Sequence, residues 1–205
     1  MVHAPAPYHH GDLPQAILAA AATAVGRDGV AALSLRSLAQ EVGVSHTAPR
    51  HHFGDKRGVV TALAAQGYDD LALALRRAGS GGTFLDVGVA YVGWALDHGA
   101  HYQVMFRPEL VDTADPAHEA ALGGLRHALV ESLDGTVPTP DGGNGIPVLG
   151  LAAWSIVHGF VTLALADSLP LPPGDRRAAT LALARSTLAR LDTTPGTTEP
   201  ATPEG

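Results

Sequence analysis

Residues 34–56 read SLRSLAQEVGVSHTAPRHHFGDK, and this stretch predicts two short helices joined by a tight turn. Ser34 is suited to cap the first helix, because its hydroxyl can accept a hydrogen bond from a backbone N–H of the first turn. Apolar residues then follow at helical spacing. Gly43 stands where the chain must turn, since glycine adopts a positive φ without strain. Ser45 is expected to cap the second helix.

The spacing within this stretch is typical of a helix-turn-helix. A small residue, Ala39, precedes Gly43 by four positions, and the apolar Val44 can fill the gap between the helices. In such motifs the second helix enters the major groove of DNA, and its first residues contact base edges. The side chains predicted to contact bases are those of Ser45, His46, Thr47 and Arg50.

The composition favours a helical chain that forms one large or two small domains. The chain has 205 residues, of which 46% are hydrophobic and only 5% aromatic. Cysteine is absent, which excludes a disulfide framework and a thiolate metal site and fits a reducing compartment. The first residues do not combine a basic segment with an apolar run, so no secretory signal is predicted and we expect a cytoplasmic protein.

Charge is distributed unevenly along the chain. The formal net charge is −7, which argues against a general nucleic-acid binder. Residues 1–78, however, hold seven basic residues, six acidic residues and six histidines, whereas the rest of the chain holds six basic and fourteen acidic residues. The half that carries the helix-turn-helix is therefore compatible with DNA binding of modest non-specific affinity.

The periodicity of apolar residues predicts an all-α chain of about nine helices. A first helix is expected from Asp12 to near Asp28, with Gly29 after it. A fourth helix over 56–77 would span about 33 Å, which is long enough to join two domains. Later helices are predicted over 84–98, 101–106, 116–133, 147–167 and 176–191. We expect a mobile arm over 1–11, an irregular loop over 134–146 and a disordered tail over 192–205.

With these elements in place, the chain resembles the TetR family of bacterial transcriptional regulators. The resemblance rests on the first helix, on SLRSLAQEVGVS at 34–45, and on HHFGDK at 51–56 ahead of the long helix. Within the family, YHHGDL at 8–13 and the pattern of Trp154, His158 and Gly159 resemble the branch named for a Trp-His-Gly signature.

The resemblance implies a division into DNA-binding and effector-binding parts. The N-terminal arm and DNA-binding domain would cover 1–56, with the helix-turn-helix at 34–53, and an effector-binding and dimerisation domain would cover 57–191. Family members usually have Tyr where this chain has Arg50, so Arg50 either holds a phosphate or reaches a guanine edge. Phosphate contacts are expected from Ser34, Arg36, His52 and Lys56.

The family also implies a cavity for a small molecule among the C-terminal helices. The candidate lining residues are apolar or aromatic, which suggests a largely apolar or aromatic effector. Taken singly, each of them is also explained as a core residue. They are Tyr91, Trp94, His98, Tyr102, Met105, Phe106, Trp154 and His158.

The segment at 147–167 is apolar on almost all sides and is long enough to span a bilayer. Polar residues interrupt it and no basic cluster flanks it, so no membrane span is predicted. The resemblance implies instead that this helix and the last one form a four-helix dimer interface. The candidate interface residues are Leu151, Ser155, Thr162, Leu181, Arg185 and Leu188.

The expected function is that of a homodimeric transcriptional regulator, specifically a repressor, that binds a palindromic operator in double-stranded DNA and is released by the effector. We predict no cofactor and no metal site, because the paired histidines at 51–52 and at 98 and 101 have no carboxylate at ligand spacing. No catalytic constellation stands out, so we do not expect an enzyme. Two alternatives remain open: a helical interaction module that has lost DNA binding, and an enzyme of unrecognised type.

Overall fold

The computed structural model describes residues 13–132 and 148–191, and it confirms the all-α prediction for them. The predicted arm over 1–11, the loop over 134–146 and the tail over 192–205 lie outside the described residues. Nine helices occupy the described part: α1 Leu13–Ala32, α2 Leu35–Val42, α3 Ala48–Phe53, α4 Lys56–Gly79, α5 Phe84–Asp97, α6 Gly99–Met105, α7 Pro116–Glu131, α8 Val148–Leu165 and α9 Arg176–Leu191.

The first three helices form an N-terminal head against the start of α4. Ile17, Ala21 and Val25 of α1 are buried, as their spacing of about 3.6 residues predicts for one face of a helix. Gly29 interrupts α1 with a φ of 78°, a conformation that glycine adopts without strain. Helical structure nevertheless resumes as far as Ala32, beyond the predicted end near Asp28.

The second helix of the helix-turn-helix begins two residues later than predicted. Residues 45–47 form a turn, in which the amide of Ala48 donates to the carbonyl of Ser45 at 3.0 Å. The cap residue is Thr47, which makes no side-chain capping bond. The expectation that Ser45 caps this helix is therefore wrong. Pro49 explains the late start, because proline is accepted only in the first turn of a helix.

The long helix α4 runs through the molecule and packs against α1, α5, α6 and α7. Its buried face includes Val59, Leu63 and Leu71, as the apolar spacing predicted. α4 approaches α6 closely at Gly67, where a Cβ atom would lie only 2.6 Å from the sulfur of Met105. The absence of a side chain at this position lets the two helices pack tightly.

The last two helices, α8 and α9, pack against α5. Leu188 of α9 lies over Gly88, where a Cβ atom would come within 2.8 Å of the leucine Cδ1 atom. On its opposite side α8 leaves Leu151 and Leu163 each 50% exposed. Among the described residues, no helix combines the length and the apolar character that crossing a bilayer requires.

Candidate functional site

The turn of the helix-turn-helix is built by local hydrogen bonds. The hydroxyl of Ser34 accepts from the amide of Ser37 at 3.1 Å, which caps α2 as predicted. Gly43 has a φ of 75°, and the amide of Val44 donates to the carbonyl of Ala39 at 2.9 Å. The left-handed conformation of Gly43 and the hydrogen bond from Val44 end α2 and turn the chain. These residues next to the turn therefore set the direction in which α3 leaves it.

The four residues predicted to contact bases are close together in the chain and exposed. Ser45, His46 and Thr47 lie in the turn that precedes α3, and Arg50 lies within α3. Pro49, by contrast, is buried and anchors the helix against the head. The head therefore presents hydrogen-bonding and charged groups to solvent at the start of α3, which is the part of such a helix that contacts base edges.

The four predicted phosphate contacts differ in exposure, and two of them, Ser34 and Lys56, already form hydrogen bonds within the chain. Arg36 and His52 are exposed, and Ser34 is half-buried at the start of α2. Lys56 is half-buried, and its Nζ atom donates to the carbonyl of Ala31 at 2.8 Å. An ammonium group has three donors, so Lys56 holds α4 to the end of α1 with one donor and retains two.

A connection between the head and the C-terminal helices was missed by sequence reasoning. The loop after α6 is held to the start of α4 by Arg57, which donates to the carbonyl of Val111 at 2.5 Å. The amide of Asp112 donates to the hydroxyl of Thr61 at 2.8 Å. The available signal was Thr61, which is a polar residue on the otherwise apolar buried face of α4.

The C-terminal helices line a partly open cavity of about 30 Å³, which is room for roughly two water molecules. Of the predicted pocket residues, only Tyr91 and Trp154 line it. Within the described residues the lining has no charged side chain. Besides Tyr91 and Trp154, Ser132 is the one lining residue there with a polar side chain. The lining residues are Leu75, Phe84, Val87, Gly88, Tyr91, Leu129, Ser132, Gly150, Ala153, Trp154 and Val157.

A buried polar network lies behind this lining. The Nδ1 atom of His158 is 2.8 Å from the hydroxyl oxygen of Tyr102 and 3.2 Å from that of Tyr91. The indole N–H of Trp154 donates to the Tyr91 hydroxyl at 3.3 Å. Burial raises the pKa of Tyr102 to about 12 and also raises that of Tyr91. Burial lowers the pKa of His158. The network is therefore uncharged near neutral pH.

The other predicted pocket residues occupy two places around this network. Phe106 packs edge-on against His158, with ring centroids 4.6 Å apart, and the carbonyl of Met105 accepts a hydrogen bond from the hydroxyl of Tyr68 on α4. Trp94 and His98 stack on each other at 4.7 Å and do not line the cavity. The eight predicted pocket residues thus include all four residues of the polar network, but only two of them line the cavity.

The six predicted interface residues divide by the direction that they face. Leu151, Ser155 and Thr162 are exposed on α8. Leu181 and Leu188 are half-buried and pack against glycines of α5 within their own chain. The exposed side of α9 includes Arg185 instead, whose Nη1 atom lies 3.4 Å from a carboxylate oxygen of Asp86. Within the described residues, no group of three or more histidine or carboxylate side chains could hold a metal ion.

Two protein-family models match the chain. The family described as "Tetracyclin repressor-like, C-terminal domain" matches residues 84–187. The family described as "Bacterial regulatory proteins, tetR family" matches residues 17–63, which include the helix-turn-helix. No protein of curated function matches the chain.

Several solved structures are similar over nearly the whole chain. A protein of unknown function from Rhodococcus sp. RHA1 is 31% identical, with 91% of this chain and 98% of that one covered and a TM-score of 0.70. The TetR-like transcriptional regulator LfrR from Mycobacterium smegmatis, solved in complex with proflavine, is 22% identical over 85% and 93%, with a TM-score of 0.60. The TetR family transcriptional regulator PfmR from Thermus thermophilus is 19% identical over 84% and 97%, with a TM-score of 0.54. At 22% and 19% identity, the similarity to LfrR and PfmR shows a shared fold.

Proposed function

The chain belongs to the TetR family of transcriptional regulators, and from that premise we propose that it is a homodimeric repressor released from its operator by a small, largely apolar effector. The family joins an N-terminal helix-turn-helix DNA-binding domain to a C-terminal ligand-binding domain, and its members are regulators rather than enzymes. As a DNA-binding regulator of a bacterial family, the protein would act in the cytoplasm.

The observation that carries the proposal is the exposure of the polar side of α3. Arg50 is exposed while its neighbour Pro49 is buried, so the helix packs by one side and presents the other to solvent. In the proposed complex the exposed residues at its start contact base edges. Phosphates are contacted from the flanking positions Ser34, Arg36 and His52 and through the two remaining donors of Lys56.

The exposed apolar side of α8 supports the homodimer. Leu151 and Leu163 are half exposed, and a Cβ atom at Gly159 would meet no other atom within 4 Å. An apolar helix face left open to water is unfavourable unless another molecule covers it. We propose that α8 of a second copy does so. The two copies of α3 would then lie about 34–36 Å apart, or a multiple of this, and would bind a palindromic operator.

The cavity between α5 and α8 is the proposed effector site. Its present volume is below the roughly 300–1,000 Å³ of typical ligand sites, so an effector must move side chains to enter. A ligand that binds the rearranged form more tightly shifts the population toward that form. Tyr91 lines the cavity and is linked through His158 to Tyr102 on α6. The carbonyl of Met105 at the end of α6 accepts a hydrogen bond from the hydroxyl of Tyr68 on α4. Because α4 begins at the N-terminal head, these bonds connect the cavity wall to the head.

The test is a fluorescence-anisotropy titration of the purified protein with the duplex upstream of its own gene. We expect specific binding at moderate salt. Arg50→Ala should weaken it by about 10- to 100-fold, the usual effect of losing a bidentate base contact. The matched control is Arg107→Ala, which removes an exposed arginine paired with Glu109 in the C-terminal domain and should leave the affinity unchanged. Proflavine, a planar aromatic compound, is the first effector to add, because the similar regulator LfrR was solved with it.

Two results would contradict the proposal. If the protein shifts no duplex at moderate salt, it does not act through DNA, and the helical interaction module becomes the better account. If binding is present but light scattering shows a monomer at micromolar concentration, the dimeric operator geometry is wrong.

A further inference from the structure

The imidazole of His118, in the first turn of α7, is buried without a hydrogen-bonding partner. This residue is 3% exposed, and none of the residues that the structure describes forms a hydrogen bond with either of its ring nitrogens. The neighbouring carboxylate of Asp115 accepts from the backbone amide of His118, not from its ring. The ring packs edge-on against that of Tyr68 on α4, with centroids 5.5 Å apart.

The hydroxyl of Tyr68 does not satisfy this imidazole, because it donates to the carbonyl of Met105. Each ring nitrogen of a histidine is a hydrogen-bond donor or acceptor. Leaving such a group unbonded in a buried site is unfavourable, and native proteins contain few of them. An imidazole in this state is explained by a partner that binds from outside the chain.

A row of aromatic rings connects His118 to the cavity between α5 and α8. Trp154 lines the cavity, and its ring centroid lies 6.0 Å from that of Phe106. The ring of Phe106 is in turn 5.8 Å from that of Tyr68, which contacts His118. Phe106 is only half-buried, so its ring has fewer contacts to lose than a core residue. An effector that enlarges the cavity by displacing Phe106 therefore extends toward His118.

We propose that His118 binds the polar group of the effector, and that the effector carries a hydroxyl or amide group at one end of an apolar aromatic body. This inference rests on the proposed effector site and deepens it, because it names a specificity-determining residue and a chemical class of ligand. The aromatic body would occupy the cavity, whose lining has no charged side chain among the described residues. A hydroxyl or amide group offers both a donor and an acceptor, so it can bond to either ring nitrogen.

The experiment compares two probes that differ by one hydroxyl group, 4-phenylphenol and biphenyl, with the full chain. Binding is followed by the quenching of tryptophan fluorescence, because Trp154 lines the cavity. We expect the parent to bind 4-phenylphenol about tenfold more tightly than biphenyl, the effect of one added hydrogen bond. His118→Leu should bind both compounds as the parent binds biphenyl. His118→Gln keeps a donor and an acceptor and should retain part of the preference.

Thermal unfolding supplies a second readout that needs no ligand. His118→Leu and His118→Phe both remove the unbonded nitrogens but differ in size, so that packing alone does not decide the result. At least one of them should unfold about 2–4 °C above the parent. The matched control is Thr61→Val, because the buried hydroxyl of Thr61 accepts from the amide of Asp112 at 2.8 Å. Its unfolding midpoint should fall.

Three results would overturn the inference. If the parent binds both compounds equally, or if His118→Leu keeps the preference for 4-phenylphenol, His118 does not bind the polar group, while the cavity remains the proposed effector site. If both apolar variants unfold below the parent, the imidazole is already satisfied, for example by a bound water. If neither compound quenches the fluorescence of the parent, the effector site and this inference are wrong together, and the duplex titration still tests DNA binding.

Discussion

The Nδ1 atom of His158 on α8 lies 2.8 Å from the hydroxyl oxygen of Tyr102 on α6. The same nitrogen is 3.2 Å from the hydroxyl of Tyr91 on α5, so one imidazole joins three helices of the C-terminal domain. Buried hydrogen bonds of this kind are costly to leave unmade. The network therefore holds the wall of the proposed effector site in one arrangement, and any effector that displaces it must offer better contacts.

Tyr102→Phe removes the hydroxyl and leaves the ring in place. The free energy of unfolding should fall by about 0.5–1.5 kcal/mol, because the His158 nitrogen loses its shorter hydrogen bond and keeps the Tyr91 hydroxyl as a partner. Urea denaturation followed by circular dichroism measures this change. A variant as stable as the parent would show that the network contributes nothing to the fold.

The stability of the protein should fall as the pH drops below neutrality. Burial lowers the pKa of His158 and that of His101, so the unfolded chain takes up protons more readily than the folded one. The free energy of unfolding then decreases below the ordinary histidine pKa of about 6.5 and levels off once the folded-state values are passed. Thermal unfolding from about pH 7.5 to about pH 5 tests this. His158→Gln should show a weaker pH dependence of stability than the parent.

Leu163→Arg should convert the proposed dimer to a monomer. This leucine is 50% exposed on α8, and an arginine within the proposed apolar interface would lose hydration without a partner. Size-exclusion chromatography with light scattering reports the mass. Leu73→Arg is the matched control, because Leu73 is 45% exposed but lies on α4. If both variants remain dimeric, the interface lies elsewhere.

Lys56→Met should destabilise the protein as well as weaken DNA binding. Methionine keeps much of the apolar stem but loses the hydrogen bond from Nζ to the carbonyl of Ala31. A loss of about 1 kcal/mol in the free energy of unfolding is expected for a bond of this kind at the surface. If the melting temperature stays the same while DNA affinity falls, Lys56 acts only on the phosphate backbone.

Gly67→Ala should destabilise the protein by about 1–3 kcal/mol, the usual effect of overpacking. The new Cβ atom would lie 2.6 Å from the sulfur of Met105 and 3.0 Å from the Cβ of His101, so α4 and α6 would have to separate. Gly123→Ala is the control, because a Cβ there meets nothing within 4 Å. In the middle of α7 it should stabilise by about 0.5–1 kcal/mol. Denaturation midpoints that move in the same direction would contradict this account.

Much of the fold was predictable because its signals are local. Ser34 caps α2 as predicted, and Gly43 has the positive φ that its place after α2 requires. The start of α3 was mispredicted because Ser45 is a good cap in isolation, while the position of Pro49 in the first turn determines where the helix can begin. The site was less predictable, since only Tyr91 and Trp154 of the eight candidate pocket residues line the cavity.

The sequence by itself determined the helices, the exposed polar residues at the start of α3 and the family, because capping, helical periodicity and turn chemistry depend on residues within a few positions of one another. Only the tertiary structure decided that Lys56 is held by Ala31, that Leu181 and Leu188 face their own chain, and that His158 meets both tyrosines. These outcomes depend on how distant helices pack. The spacing of residues along one helix specifies which side chains share a face, but the neighbour that covers that face is chosen by the whole fold.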